Sequence, residues 1–184
     1  NDITIQASAS AIGSPSYTAS SNSTISVSSI QDFLNAGTDV TIIASGTITV
    51  GDNITKSSGA DATLTLKAGD KIYAGGVLIS STSNKLNVVL WVESDGGEAF
   101  GASVGQITTN GGHLWVGGGS GTRVWNGLTV GNGLSMSDGS SNWNGLDLSR
   151  NISTNGGDIY LAADRGNTDN NPSIGPTNNI TINS

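Results

Sequence analysis

One stretch of this sequence is written twice. Residues 107–116 read ITTNGGHLWV, and residues 152–161 read ISTNGGDIYL. In each copy a short β-prone segment leads into Asn-Gly-Gly, and a second alternating segment follows. Because Asn and Gly accept positive φ at little cost, each Asn-Gly-Gly predicts a sharp turn between strands. Repetition of this kind is typical of folds that stack one unit on the next.

Short alternating segments occur along the whole chain, and most place Thr or Ser between apolar residues. This period of two predicts half-buried strands. The segment at residues 28–37 differs, because Ile30, Phe33 and Leu34 have helical spacing, follow serines that can cap a helix, and precede Gly37. It predicts a two-turn helix as an excursion between strands. The predicted strands lie at residues 3–5, 24–27, 40–43, 47–50, 63–66, 77–79, 88–92, 114–116, 128–130, 159–161 and 180–182.

Sandwiches, closed barrels and solenoids all use many short strands, and the sequence favours the solenoid. Its strands are shorter than those of most sandwiches, and its Gly-rich turns lack regular hairpin spacing. We therefore predict one all-β domain over residues 1–184, a parallel β-solenoid with Ile, Val and Leu stacked inside. Coils of about 20 to 25 residues would give about eight turns and a rod roughly 40 Å long. Residues 117–148 do not follow this coil spacing. We interpret them as irregular tight coils, and the alternative is a β-excursion from the solenoid.

The composition excludes several partners. The net charge is −7, and only 7 of 184 residues are Lys or Arg, so binding to nucleic acid or to an anionic membrane is disfavoured. No apolar run approaches the roughly 20 residues that span a bilayer, which predicts no membrane insertion. The absence of Cys and the hydroxyl-rich strands favour an exported protein that does not rely on disulfides. No signal peptide pattern is visible at the start, so we expect a mature fragment.

The order of several segments is similar to that in the filamentous-haemagglutinin-type bacterial exoproteins. These segments lie at residues 26–30, 37–42, 46–50, 61–68, 85–90, 95–97 and 107–112, and the resemblance covers about residues 23–165. It implies a single-stranded right-handed parallel β-helix in a secreted or cell-surface protein, acting in adhesion or as a stalk. It also implies an extracellular location and no catalytic residues.

Residues suited to catalysis or metal binding are scattered. His113 is the only histidine, and Asp158 takes its place in the second copy of the doubled stretch, which indicates a solvent-facing corner. We predict no metal site and no cofactor. The oxygen-rich residues 164–171 could hold calcium, but a polar turn is the favoured interpretation. The carboxylates are spread singly, so we predict no catalytic residues; a lyase or hydrolase would need arginines to converge with Asp147 and Asp164. Those arginines are Arg123, Arg150 and Arg165.

The motif Trp-Asn-Gly-Leu occurs twice and supplies the candidate ligand-binding residues Trp125, Asn126, Trp143 and Asn144. Exposed aromatic rings beside amides bind sugar rings, whereas the competing interpretation is that these rings fill coil corners. Trp91 and Trp115 interrupt apolar strands and are predicted to be packing residues.

The function predicted from these patterns is a non-enzymatic structural or adhesive segment of a bacterial surface or secreted filament. The alternatives are a carbohydrate-binding module that uses exposed tryptophans, and then a polysaccharide lyase or hydrolase. Neither end of the sequence shows a cap, so the expected partner is the protein itself, by end-to-end stacking or by continuation of the same rod. Host or environmental glycans are the other expected partners.

Overall fold

The computed structural model describes residues 1–96, 101–132, 145–162, 174–176 and 180–184. The protein is mostly β, with parallel sheets, as predicted. Its elements are β1 (Ile3–Gln6), β2 (Ser16–Thr18), β3 (Ser23–Ser26), α1 (Val27–Asn35), β4 (Val40–Ala44), β5 (Ile48–Val50), β6 (Ile54–Lys56), β7 (Ala62–Ala68), β8 (Ile72–Ser81), β9 (Leu86–Trp91), β10 (Ala102–Thr108), β11 (Leu114–Gly117), β12 (Thr122–Trp125), β13 (Leu128–Gly131), β14 (Leu146–Leu148), β15 (Ile152–Ser153), β16 (Ile159–Leu161), β17 (Ile174–Pro176) and β18 (Ile182–Asn183).

The parallel strands form three columns that the chain visits in turn. The first column has the order β17-β14-β10-β8-β5-β1-β3. The second contains β6, the later residues of β8 and β10, β15 and β18. The third is a separate sheet with the order β16-β11-β9-β7-β4-β2. From β4 onward, apart from one hairpin, the chain passes from the third column to the first, then to the second, and then to the third again.

Successive passages of the chain lie in register. Val40 pairs with Leu64, and Leu64 pairs with Val88, so each of these coils falls within the predicted length. The two copies of the doubled stretch also lie directly against each other, because Ile107 pairs with Ile152 and Leu114 pairs with Ile159. The sequence repeat therefore corresponds to two neighbouring levels of the structure.

The interior consists of aliphatic ladders. Alternate residues of a strand point to opposite faces, so in-register pairing places an inward residue on the inward residue of the next level. Each column supplies such ladders, and their members are almost completely buried. The ladders include Ile3, Ile48 and Ile72 in the first column, Ile54, Ile79 and Ile107 in the second, and Val40, Leu64, Val88 and Leu114 in the third.

One inward position, where the second column turns toward the third, is polar. Lys56 is fully buried there, and its ammonium donates to the carbonyls of Ser58 and Ser83, at 2.7 Å each, and of Gly59, at 3.2 Å. Ser81 occupies the corresponding position on the next strand and also donates to the Ser83 carbonyl. Burial lowers the pKa of the Lys56 amine, and the carboxylate of Asp61 opposes this shift. These side chains therefore donate hydrogen bonds to the carbonyls of two successive turns, and the Lys56 ammonium is itself satisfied.

The end of the stack near the helix is covered, which corrects the expectation that neither end has a cap. Strand β1 lies between β3 and β5, so β3 forms the outermost level of the first column. Helix α1 begins after its N-cap, Ser26, and the chain turns after it at Gly37, whose φ is +73°. Gln31 and Asn35 accept hydrogen bonds from the N–H groups of Thr55, at 2.8 Å, and Ser57, at 2.7 Å. Side chains of the helix therefore accept hydrogen bonds from the otherwise unpaired edge of β6. The helix thus covers this edge, in addition to connecting two strands as predicted.

The opposite end is different. Strands β16, β17 and β18 each pair with a single described strand. Ile159 and Leu161 continue ladders whose earlier members are fully buried, yet they are partly exposed, and Ile182 is 47% exposed. A groove of about 460 Å³ is lined there by Ile159, Leu161, Ile182, Asp158 and Ser184. Within the described residues, this end of the stack presents aliphatic side chains to solvent.

The described stack is shorter than predicted. Its longest described column, the first, has seven strands, and at about 4.8 Å between strands the outermost two lie about 29 Å apart. Residues 117–148 account for part of the difference, because β12 and β13 pair with each other in an antiparallel hairpin and add no level. These strands are therefore a β-excursion, whereas residues 133–144 lie outside the described residues.

Candidate functional site

The outer face of the third column changes character along its length. Thr41 pairs with Thr65 and Thr65 with Val89, and on the next levels Trp115 and Tyr160 occupy the same position. Thr41 and Thr65 are half-buried, whereas Val89 and Trp115 are fully buried although they point away from the ladders. A second layer must therefore cover the apolar part of this face.

The hairpin of β12 and β13 provides that cover. Leu128 and Val130 pack against Val89, Trp91 and Trp115 as a second core. The indole N–H of Trp91 also donates to the Gly119 carbonyl at 2.7 Å, which fixes the start of the hairpin. The prediction that Trp91 and Trp115 are packing residues is confirmed by their burial.

The tip of the hairpin is formed by Asn126 and Gly127, with φ values of 47° and 78°. Two successive residues with positive φ are typical of the tight turn whose twist matches that of paired strands. The amide of Asn126 donates to the Asp158 carboxylate at 2.5 Å. This bond joins the tip to the corner where the strands of the third column begin.

His113 occupies the predicted corner and completes this contact. The backbone N–H of Asp158 donates to Nδ1 of His113 at 2.9 Å, so the imidazole acts as an acceptor at that nitrogen. The ring is partly exposed and meets the ring of Trp125 edge-on, with 5.7 Å between centroids. His113 therefore serves as one step of a ladder of corner side chains, in which the backbone N–H of His113 donates to the side-chain oxygen of Asn87 at 2.9 Å.

The structure places two of the four predicted ligand-binding residues, Trp125 and Asn126, at this tip. Trp125 is half-buried, and its ring lies 6.0 Å from the ring of Tyr160 and points toward the sheet beneath the hairpin. Asn126 is engaged with Asp158. Trp143 and Asn144 lie outside the described residues. Trp125 and Asn126 thus hold the hairpin in place, and the adjoining surface offers the space for a ligand.

That space is a groove between the tip and the threonines that the hairpin leaves uncovered. Its volume is about 260 Å³. The sheet contributes Asp39, Thr41, Thr63 and Thr65, and the hairpin contributes Gly127, Leu128 and Thr129. The sequence indicated one wall only as a minor alternative, because the alternating Thr63 and Thr65 could face ice or a polysaccharide but are already explained by strands with buried apolar residues. It did not predict the groove, because the two walls lie far apart in the chain.

Among the described residues, Asp147 forms no salt bridge with Arg123 or Arg150. The guanidinium of Arg123 lies over the Tyr160 ring, 4.8 Å from its centroid, and its buried Nε and Nη2 make no hydrogen bond. One carboxylate oxygen of Asp147 is likewise buried without a partner, and burial raises the pKa of this carboxyl. Asp164 and Arg165 lie outside the described residues. Among the described residues, no group of three or more His, Asp or Glu side chains is arranged to hold a metal ion.

The described residues contain no helix with the length and apolar character needed to cross a membrane. Comparison with family models, with curated proteins and with solved structures gave no match.

Proposed function

We propose that this chain is a non-enzymatic structural and adhesive segment of a bacterial cell-surface or secreted filament. Its fold would be a single-stranded right-handed parallel β-helix, the architecture that the resemblance to filamentous-haemagglutinin-type exoproteins implies. The observation that supports this best is the in-register pairing of strands in three columns, visited in repeating order from β4 onward. Such pairing makes each level a template for the next, and the result is a stiff rod.

The proposed partner is the protein itself, through the open end of the stack. The helix and β3 cover one end, whereas at the other Ile159 and Leu161 are partly exposed and Ile182 is exposed. Aliphatic ladders that end in water are stabilised when another coil covers them, because apolar surface is removed from water. The covering coil would belong to a continuation of the same rod or to another copy, in an extracellular location.

Sedimentation velocity over a range of concentrations tests the self-association. We expect reversible association of the wild-type chain and its loss in Ile182→Asp, which would place a charge in the covered interface. Val124→Asp is the matched control, because Val124 is also an exposed aliphatic residue, 76% exposed, but belongs to the hairpin and not to the end strands β16, β17 or β18. A wild-type chain that remains monomeric, or an effect of Val124→Asp equal to that of Ile182→Asp, would contradict the proposed contact.

The rod itself is tested separately. Small-angle X-ray scattering of the wild-type chain should give particles that lengthen as association proceeds, and an experimental structure of the non-associating variant should show right-handed coils about 4.8 Å apart. Antiparallel sheets packed face to face, or a left-handed path, would refute the proposed fold.

A further inference from the structure

The groove beneath the hairpin tip has two fixed walls. On the sheet side, Thr41 and Thr65 are register partners, so their side chains lie about 4.8 Å apart along the stack. Asp39 is also held, because one of its carboxylate oxygens accepts the N–H of Thr63 at 2.7 Å. On the hairpin side, the bond from Asn126 to Asp158 holds the tip. A site built from held groups loses little conformational entropy when a ligand binds.

Backbone groups of the hairpin are also available in the groove. Within the described residues, β13 pairs with β12 alone. Arg123 of β12 lies over Tyr160, whereas Leu128 and Thr129 of β13 line the groove beside Thr65. The unpaired edge of β13 is therefore on the groove side, where its N–H and C=O groups can bond to a ligand.

The lining has the chemistry of a polyol site. Its four threonines are Thr41, Thr63, Thr65 and Thr129, and a hydroxyl can both donate and accept. The Thr63 hydroxyl accepts a hydrogen bond from the Asn87 amide at 3.4 Å and can still donate to a ligand. The Asp39 carboxylate adds a strong acceptor, and its second oxygen makes no hydrogen bond to a described residue. Leu128 adds an apolar surface against which C–H groups of a sugar ring can pack.

Charge decides the kind of sugar. Among the described residues, the lining contains one carboxylate and no Lys or Arg, and the whole chain carries a net charge of −7. A uronate or sulfate group would be repelled at short range. An added peptide strand is disfavoured, because the free edge of β13 spans only four residues and faces hydroxyls instead of side-chain pockets.

We infer that this groove binds a neutral carbohydrate chain through the Thr41, Thr63 and Thr65 hydroxyls, the Asp39 carboxylate and the edge of β13. Such binding would give the adhesive part of the proposed function a ligand class. Sugar binding in this groove requires only a single chain, so it can be measured on the non-associating Ile182→Asp variant. The sugar-binding inference can therefore be refuted without refuting the proposed self-association.

The test is a titration of the ¹⁵N-labelled protein with three neutral probes, cellohexaose, laminarihexaose and maltohexaose, and with a hyaluronan hexasaccharide as the anionic comparison. We expect at least one neutral probe to bind and to shift the amide resonances of Thr41, Thr65 and Thr129. The double variant Thr41→Val, Thr65→Val keeps the shape and β-propensity of these residues but removes two hydroxyls, and it should weaken binding about tenfold or more.

The matched control is Thr4→Val, Thr49→Val, an outward, register-paired threonine couple on the first column. It should leave affinity unchanged within about twofold, and unfolding curves of both variants verify that each folds. Absence of shifts with every neutral probe at about 10 mM would overturn the inference. Tighter binding of hyaluronan, or equal binding by the two double variants, would overturn it as well.

Discussion

Replacing Leu66 by alanine tests whether the aliphatic ladders hold the fold together. Leu66 is fully buried, and its register partners above and below, Ile42 and Leu90, are fully buried too. Each partner belongs to a strand that is hydrogen-bonded on both sides, so the backbone cannot move in to fill the lost volume. The matched control is Thr65→Ala on the same strand, whose side chain points outward.

The expected magnitude follows from the burial and from the rigidity of the site. Leucine-to-alanine changes in cores cost about 2 to 5 kcal/mol, the larger values where the cavity cannot collapse. We therefore expect Leu66→Ala to lower the free energy of unfolding by about 3 to 4 kcal/mol. For Thr65→Ala we expect a loss of at most about 1 kcal/mol, the range of β-propensity at a half-buried strand position.

Urea unfolding, followed both by far-ultraviolet circular dichroism and by tryptophan fluorescence, measures these differences. The two probes should give coincident transitions, since stacked levels can unfold separately if their coupling is weak. A cost below about 1 kcal/mol for Leu66→Ala, or an equal cost for Thr65→Ala, would refute the in-register ladder as the source of stability.

Three further predictions concern polar and backbone positions. Burial lowers the pKa of Lys56 in the folded protein below the 10.5 of the unfolded chain, so between these two pKa values the unfolded chain binds more protons. The free energy of unfolding should therefore rise as pH increases through that window. Urea melts across pH measure the rise, and Lys56→Met should abolish it. The raised pKa of Asp147 has the opposite sign, so stability should increase as pH falls toward 3.8, and Asp147→Asn should remove this dependence in the same melts. Gly37→Ala should lower the free energy of unfolding by about 1 to 2 kcal/mol, because φ is +73° and a Cβ there would lie 2.9 Å from the Cβ of Ala60. The control is Gly76→Ala, which has open space around it and should change the free energy of unfolding by less than about 0.5 kcal/mol. A larger loss at Gly76 would contradict this reasoning.

The sequence alone was sufficient to predict the parallel levels and their inward faces. Alternation with period two marked most strands, and the doubled stretch predicted neighbouring levels, since Ile107 and Ile152 share one ladder. Helix α1 was predicted nearly to its limits, because Ile30 and Leu34 have helical spacing and Gly37 follows them. These features depend on local conformation and on a period along the chain, which a sequence displays directly.

Other features depend on which distant segments meet, and only the tertiary structure could decide them. The insertion of β1 between β3 and β5, and the cover that α1 gives to β6, arise from long-range pairing. The Asn-Gly turn after Trp125 was visible in the sequence, but not the face of the third column on which its hairpin would lie. Because that face determines which threonines remain uncovered, the groove exists only in the folded protein, where burial of Val89 and Trp115 sets the position of the hairpin.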